Sequence, residues 1–137
     1  MKFLLALVLL VPAMAQGAEQ KLECPASLEV KDSASAPSGA QVFQSPEPHV
    51  LERVSFQLGT PSKLVPAPLG TVNKPGESRD TWVFHAPLPQ QVWAACAYTG
   101  TSLFLVRPVG QNVTRCEVRY RTVGAHTRVG VIAARCE

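Results

Sequence analysis

The sequence predicts an all-β domain, a small antiparallel β-sandwich or partly open barrel that ends in a C-terminal meander. Three observations carry this expectation. No segment holds a helical apolar period over about 12 residues, and 12 prolines are spread along the 137-residue chain. Short runs in which apolar and polar residues alternate recur between Gly-, Pro- and Asn-rich turns. They are densest from Trp93 to Cys136, where three of the four cysteines lie.

The chain opens with Lys2, the apolar run Phe3 to Val11, and then Pro12-Ala13-Met14-Ala15. This is the pattern of a secretory signal peptide, with Ala13 and Ala15 as the small residues before a cut after Ala15. The run is too short to cross a bilayer core of roughly 30 Å as a helix. Cys24 is not placed as a lipid-anchor cysteine, because Leu22-Glu23 before it is not a small-residue approach. Residues 1–15 are therefore expected to be a leader and residues 16–137 a single β domain, periplasmic or secreted, with no stable membrane anchor. About 122 residues suffice for one core and not for two.

Ser27 to Lys31 alternates and reads as a first strand, followed by a Ser-, Ala-, Pro- and Gly-rich surface loop from Asp32 to Gly39. Pro46 and Pro48 lack the N–H that a sheet ladder needs. Val50 to Leu58 is a strand with Val54, Phe56 and Leu58 on its apolar face. From Gly59 to Arg79 the prolines at 61, 66, 68 and 75 predict a long loop, pinned to the core by Leu64, Val65 and Leu69. Asp80 to His85 is a strand with Trp82 and Phe84 on one face. Gln91 to Thr99 and Ser102 to Arg107 form a hairpin about Gly100-Thr101. A turn at Gly110 to Asn112 leads to Thr114 to Thr122, and Val123 to His126 turns into the last strand, Arg128 to Cys136, giving about seven strands in all.

Four cysteines in a small exported chain imply two disulfides. The absence of a C-x-x-C spacing removes zinc-knuckle and thioredoxin-type readings. The two-residue turn at Gly100-Thr101 sets Cys96 opposite Leu105. A hairpin centred on Gln111 would then put Cys116 a whole strand away, near 10 Å and on the other face, beyond the reach of a disulfide. In the last hairpin, pairing Thr122 with Gly130 brings Cys116 directly across from Cys136. The expected bridges are Cys116–Cys136 and Cys24–Cys96.

The net charge is +3, and its basic part is concentrated after Val106 in Arg107, Arg115, Arg119, Arg121, Arg128 and Arg135. Arg115, Glu117, Arg119 and Arg121 share one parity of a strand, with Val118 and Tyr120 turned to the core. Arg107 and Arg135 are candidates to join them from neighbouring strands. Guanidinium groups bind carboxylates and phosphates through paired N–H bonds, so Arg107, Arg115, Arg119, Arg121 and Arg135 form a candidate partner-binding face. The plainer reading is a solvated face with Glu117 neutralising its neighbours. Nucleic acid is a poor match, since no aromatic ladder accompanies the arginines. Trp93 and Tyr98 bracket Cys96 and are expected to pack around its disulfide.

No cofactor or metal is expected. His49, His85 and His126 are far apart, with no tight ligand spacing, and no G-x-S-x-G elbow accompanies the two aspartates, Asp32 and Asp80. Glu47, Glu52 and Glu77 are indistinguishable here from surface charge. Asn112-Val113-Thr114 matches the N-glycosylation acceptor, which matters only in a host with that machinery.

Cys24-Pro25, Val54-Ser55-Phe56 with Gly59-x-Pro61 and Leu64-Val65-Pro66, then Trp82, Trp93-x-x-Cys96-x-Tyr98, Arg107-Pro108 and Cys116-x-Val118-x-Tyr120 give a pattern that resembles a family of small, uncharacterised exported proteins of Gram-negative bacteria. The resemblance implies a periplasmic location and structural cysteines, and no activity. In class, such proteins are similar to periplasmic lysozyme inhibitors and immunity proteins, although their inhibitory loop motifs are absent. The expected function is non-catalytic binding of an envelope or exported protein, as an inhibitor or immunity-type factor, through the arginine face and the loop from Gly59 to Arg79. The alternatives are an envelope hydrolase with a His/Glu site and a structural envelope component.

Overall fold

A computed structural model describes residues 19–30, 37–39, 41, 47–60 and 67–137. The expected leader, most of the loop from Asp32 to Gly39, Pro46, and Leu64-Val65 lie outside these residues. Nine strands are present among those described: β1 (Gln20–Leu22), β2 (Ser27–Leu28), β3 (His49–Leu58), β4 (Gly70–Lys74), β5 (Glu77–Val83), β6 (Val92–Tyr98), β7 (Phe104–Gly110), β8 (Arg115–Val123) and β9 (Thr127–Cys136). They form two antiparallel sheets, ordered β1-β9-β8-β5-β4 and β2-β3-β6-β7. The all-β class holds, as an open two-sheet sandwich and not a closed barrel.

The core forms where the inner faces meet. Val54 and Phe56 of β3 and Val92 and Ala94 of β6 face Trp82 of β5, Val118 and Tyr120 of β8 and Ala134 of β9, all at most 5% exposed. Phe56 and Trp82 meet edge to face with centroids 5.3 Å apart. The Tyr120 hydroxyl donates to the Val54 carbonyl at 3.0 Å and so ties one sheet to the other.

Both expected disulfides are present. Cys116 and Cys136 are cross-strand partners with Cα atoms 4.1 Å apart, and Cys24 bridges to Cys96 between the segment after β1 and the middle of β6. Chain-entropy estimates give about 3 kcal/mol for the 20-residue separation and about 4 kcal/mol for the 72-residue one. The register that led to Cys116–Cys136 differs from the one expected. Thr122 pairs with Arg128 and not Gly130, because the turn is one of three residues and β9 carries bulges between the partners of Arg119/Tyr120 and of Arg121/Thr122. The two extra residues on β9 restore the alignment at the cysteines.

Three expectations are corrected. The segment from Gly59 to Arg79 is not a loop throughout, since residues 70–79 form β4, the turn and the start of β5. Pro75 and Gly76, with φ +77° at Gly76, occupy the two turn positions that a Pro-Gly pair suits, and the Pro-free run before them is long enough for an edge strand. Leu69 is 77% exposed and pins nothing. The third correction concerns the meander, which stops after one hairpin. Cys96 pairs with Leu105 as expected, but β8 leaves β7 and joins the other sheet between β5 and β9. Buried Val113 anchors the crossing, and Thr114 and Arg115 donate their N–H groups to the carbonyl of Glu137. The physical reason is burial: Val118 and Tyr120 gain a facing layer only if β8 lies across the core from β3 and β6.

Tyr98 is buried with its hydroxyl on the Pro25 carbonyl at 3.1 Å, beside the Cys24 bridge as expected. Trp93 has the opposite parity to Cys96 and shares its row with Gln57 and Pro108, on the other side of the sheet.

The only two tyrosines are both held from ionising by burial, Tyr120 up to about 12 from an ordinary 10.0 with the Asp80 charge as a second cause, and Tyr98 upward as well. A phenol whose folded value is raised stabilises the fold fully below its unfolded value, and this contribution is lost as pH rises through the folded value. Stability is thus expected to fall between pH 10 and about 12. Tyr120→Phe should flatten that alkaline limb while costing about 1 kcal/mol at neutral pH through the lost Val54 bond. Ultraviolet titration of native protein should show no tyrosinate appearing at the ordinary midpoint; an ordinary midpoint for both tyrosines contradicts this.

Candidate functional site

β8 is the middle strand of the five-stranded sheet, and alternation decides its two faces. Cys116, Val118, Tyr120 and Thr122 are buried, whereas Arg115, Glu117, Arg119 and Arg121 point outward. Across the ladder, Arg79 of β5 lies opposite Arg119, Glu77 opposite Arg121, and Arg135 of β9 opposite Glu117. Five arginines and two glutamates therefore tile one exposed sheet face.

The face is internally paired. Arg119 donates two hydrogen bonds to Glu77, at 2.8 and 3.0 Å. Arg79 lies 3.3 Å from Glu117, which also receives Arg115 at 3.3 Å. Arg135 reaches Glu19 at 2.8 Å. Arg121 makes no ion pair within 4.0 Å among the described residues. The Arg119 guanidinium, through its hydrogen bonds, holds the Glu77 carboxyl below its ordinary 4.5. Ion pairs this exposed add little stability each. With five arginines against Glu77, Glu117 and Glu19, the face keeps more positive than negative charge at the surface. A small depression of about 180 Å³ between Arg115, Glu117, Arg135 and Glu19 marks one corner of the array.

Four of the five arginines singled out in the sequence, Arg115, Arg119, Arg121 and Arg135, come together here. Arg107 does not join them. It lies on β7 in the other sheet, in one row with Ala94 and Phe56, and lines a cleft of about 550 Å³ between the sheets. Sequence reasoning missed Arg79 and the pairing role of Glu77, because both fall in the stretch read as loop. The signal was present in the alternation Glu77-x-Arg79-x-Thr81, which continues the strand through Trp82.

The sixth C-terminal arginine, Arg128, has a different task. It donates to both carboxylate oxygens of Asp80 at 2.6 and 2.7 Å and lies 4.1 Å over the Tyr120 ring, while Thr71 donates to Asp80 at 2.7 Å. Asp80 is 4% exposed, so its charge is affordable only because it is paired.

The histidines remain apart: His49 on β3 against the Thr99 carbonyl, His85 exposed after β5, and His126 in the β8–β9 turn. Among the described residues no group of three or more His, Cys, Asp or Glu is placed to hold a metal.

The chain is thus a disulfide-stapled β-sandwich with one charged sheet face. A family model described as "Type VI secretion system Tli immunity protein" matches residues 45–137, and the chain belongs to that family. It is an immunity-type factor that acts by binding another protein. Over 130 residues it is 28% identical to an uncharacterised 16.3 kDa protein in the trpG 5′ region of Azospirillum brasilense, covering 89% of this chain and 87% of that protein. No solved structure matches. The resemblance read from the sequence holds at the level of a family of small proteins, and the expected protein-binding, immunity-type function is borne out by the family match.

Two outcomes follow for the ion pairs. Asp80→Ala should cost about 3 kcal/mol in denaturant unfolding, at the low end for a broken buried pair because Arg128 keeps contact with water; a change under about 0.5 kcal/mol contradicts this. For Glu77, a depressed folded value stabilises above the unfolded value and is lost as pH falls through the folded one. The wild type should therefore lose more stability than Glu77→Gln on acidification below pH 4.5.

Proposed function

We propose that the protein is exported by a leader spanning residues 1–15, forms its two disulfides in the periplasm, and there neutralises a type VI secretion effector by binding it. The membership of residues 45–137 in the immunity family carries this reading. An oxidising compartment is consistent with four cysteines all in disulfides. The contact surface we propose is the outer face of β5, β8 and β9, centred on Arg115, Arg119 and Arg121 with Arg79 and Arg135 at its sides. A flat array of guanidinium groups suits an acidic protein surface, speeds encounter, and exchanges its internal glutamates for partner carboxylates on docking.

Binding alone accounts for immunity without chemistry by this chain.

A strain lacking this protein should be outcompeted by its type VI-active parent and should recover when the parent's secretion apparatus is inactivated or the protein is restored. A deletion strain that competes equally well removes the immunity reading. Combined Arg115→Ala, Arg119→Ala and Arg121→Ala should weaken protection at least about tenfold, equivalent to about 1.4 kcal/mol of lost affinity, with an unchanged melting temperature. Full protection by this folded variant would reject the arginine face as the contact.

A further inference from the structure

The cleft of about 550 Å³ lies between the sheets, bounded by β1 and the segment after it, the first half of β3, Arg107 of β7 and residues 130–134 of β9. Its walls are largely apolar, with Leu22, Leu51, Val54 and Val131 among them. Arg107 is the exception. Its row partners Ala94 and Phe56 are at most 1% exposed, so its backbone position directs the side chain toward the core side of the sheet. No carboxylate lies within 4.0 Å of it among the described residues, and the neighbouring Lys21 is already 3.9 Å from Glu23. Arg107 nevertheless stays exposed to solvent, so its guanidinium is held beside apolar walls with no carboxylate within 4.0 Å among the described residues and is accessible to an anionic group of a ligand.

The backbone narrows the class of ligand. β1 pairs with only Ala134, Arg135 and Cys136 of β9, and the chain then leaves toward Cys24 and its bridge to Cys96. Residues 130–133 of β9 thus have no ladder partner on the β1 side among the described residues, and they line the cleft. A purely hydrocarbon ligand would cover these backbone groups and leave them unsatisfied. An extended peptide supplies its own N–H and C=O groups. Four residues of strand span about 13 Å.

We propose that this cleft receives an extended segment of the effector, with apolar side chains toward Leu51, Val54 and Val131 and one carboxylate paired to Arg107. The proposal rests on the immunity reading and adds a second contact, separate from the β8 face. Charge complementarity selects an acidic segment, and the bulges on β9 limit the pairing to a short stretch.

The test uses the full-length exported protein in its host, with a photo-crosslinking amino acid placed at Val50 or at Ile132, both on the cleft wall. With the secretion system active, crosslinks should map to a segment of a type VI effector that carries Asp or Glu between apolar residues. Arg107→Glu should abolish these crosslinks and lower protection at least about tenfold, while Arg107→Lys keeps part of both. If the parent chain protects but the cleft positions crosslink to a second copy, to a lipid or small molecule, or to nothing, and Arg107→Glu protects fully, the cleft proposal is overturned and the immunity reading stands. If the parent chain itself gives no protection, both fall. Crosslinking in the unsubstituted Arg107 background keeps the test decisive should Arg107→Glu fail to fold.

Discussion

Everything in this fold depends on the two-residue period of β8. As the middle strand of its sheet it has ladder partners on both sides, so its register is fixed and none of its side chains can change face. One parity supplies Val118 and Tyr120 to the core and Cys116 to the disulfide; the other supplies Arg115, Glu117, Arg119 and Arg121 to solvent. Core and candidate contact surface are two sides of the same nine residues. Slipping β8 by one residue would bury four charges and expose the core tyrosine, which is why the surface array is as well defined as the interior.

The charged groups divide by environment into three kinds. Arg128 is spent on Asp80 and Tyr120 at the edge of the core and serves the fold. Arg79, Arg115, Arg119 and Arg135 are in exposed pairs that contribute little to stability. Arg107 and Arg121 have no ion pair within 4.0 Å among the described residues, and they are the charges we propose for a partner. The two disulfides hold β8 to β9 and the segment after β1 to β6, so the strands behind the face and the cleft wall are both clamped.

Much of this was legible in the residues. Alternation placed β3, β5, β6, β8 and β9 to within a few residues, and parity alone put Arg115, Arg119 and Arg121 together. Both disulfides were reached, yet one register behind them was not the real one: two bulges on β9 compensated for a shorter turn. Bulges leave little mark in the sequence, because an extra residue in an edge-ward strand disturbs neither composition nor apolar count. The prolines between Gly59 and Arg79 obscured β4, since Pro75 was read as breaking a strand when it begins the turn between two. Glu77 and Arg79, at the start of β5, lie in the same stretch and are obscured with it.

What the sequence determined by itself was local: strand periodicity, the inward or outward parity of each side chain, the turn residues, and the even count of cysteines. These follow from backbone geometry within a few residues. Tertiary structure alone decided which strands are neighbours. It sent β8 across the core instead of beside β7, because that placement buries Val118 and Tyr120 against Val54 and Phe56. The same crossing parted Arg107 from the other arginines and left it on the wall of a cleft. A single chain's local pattern cannot encode such a choice, because burial is satisfied between segments far apart in sequence.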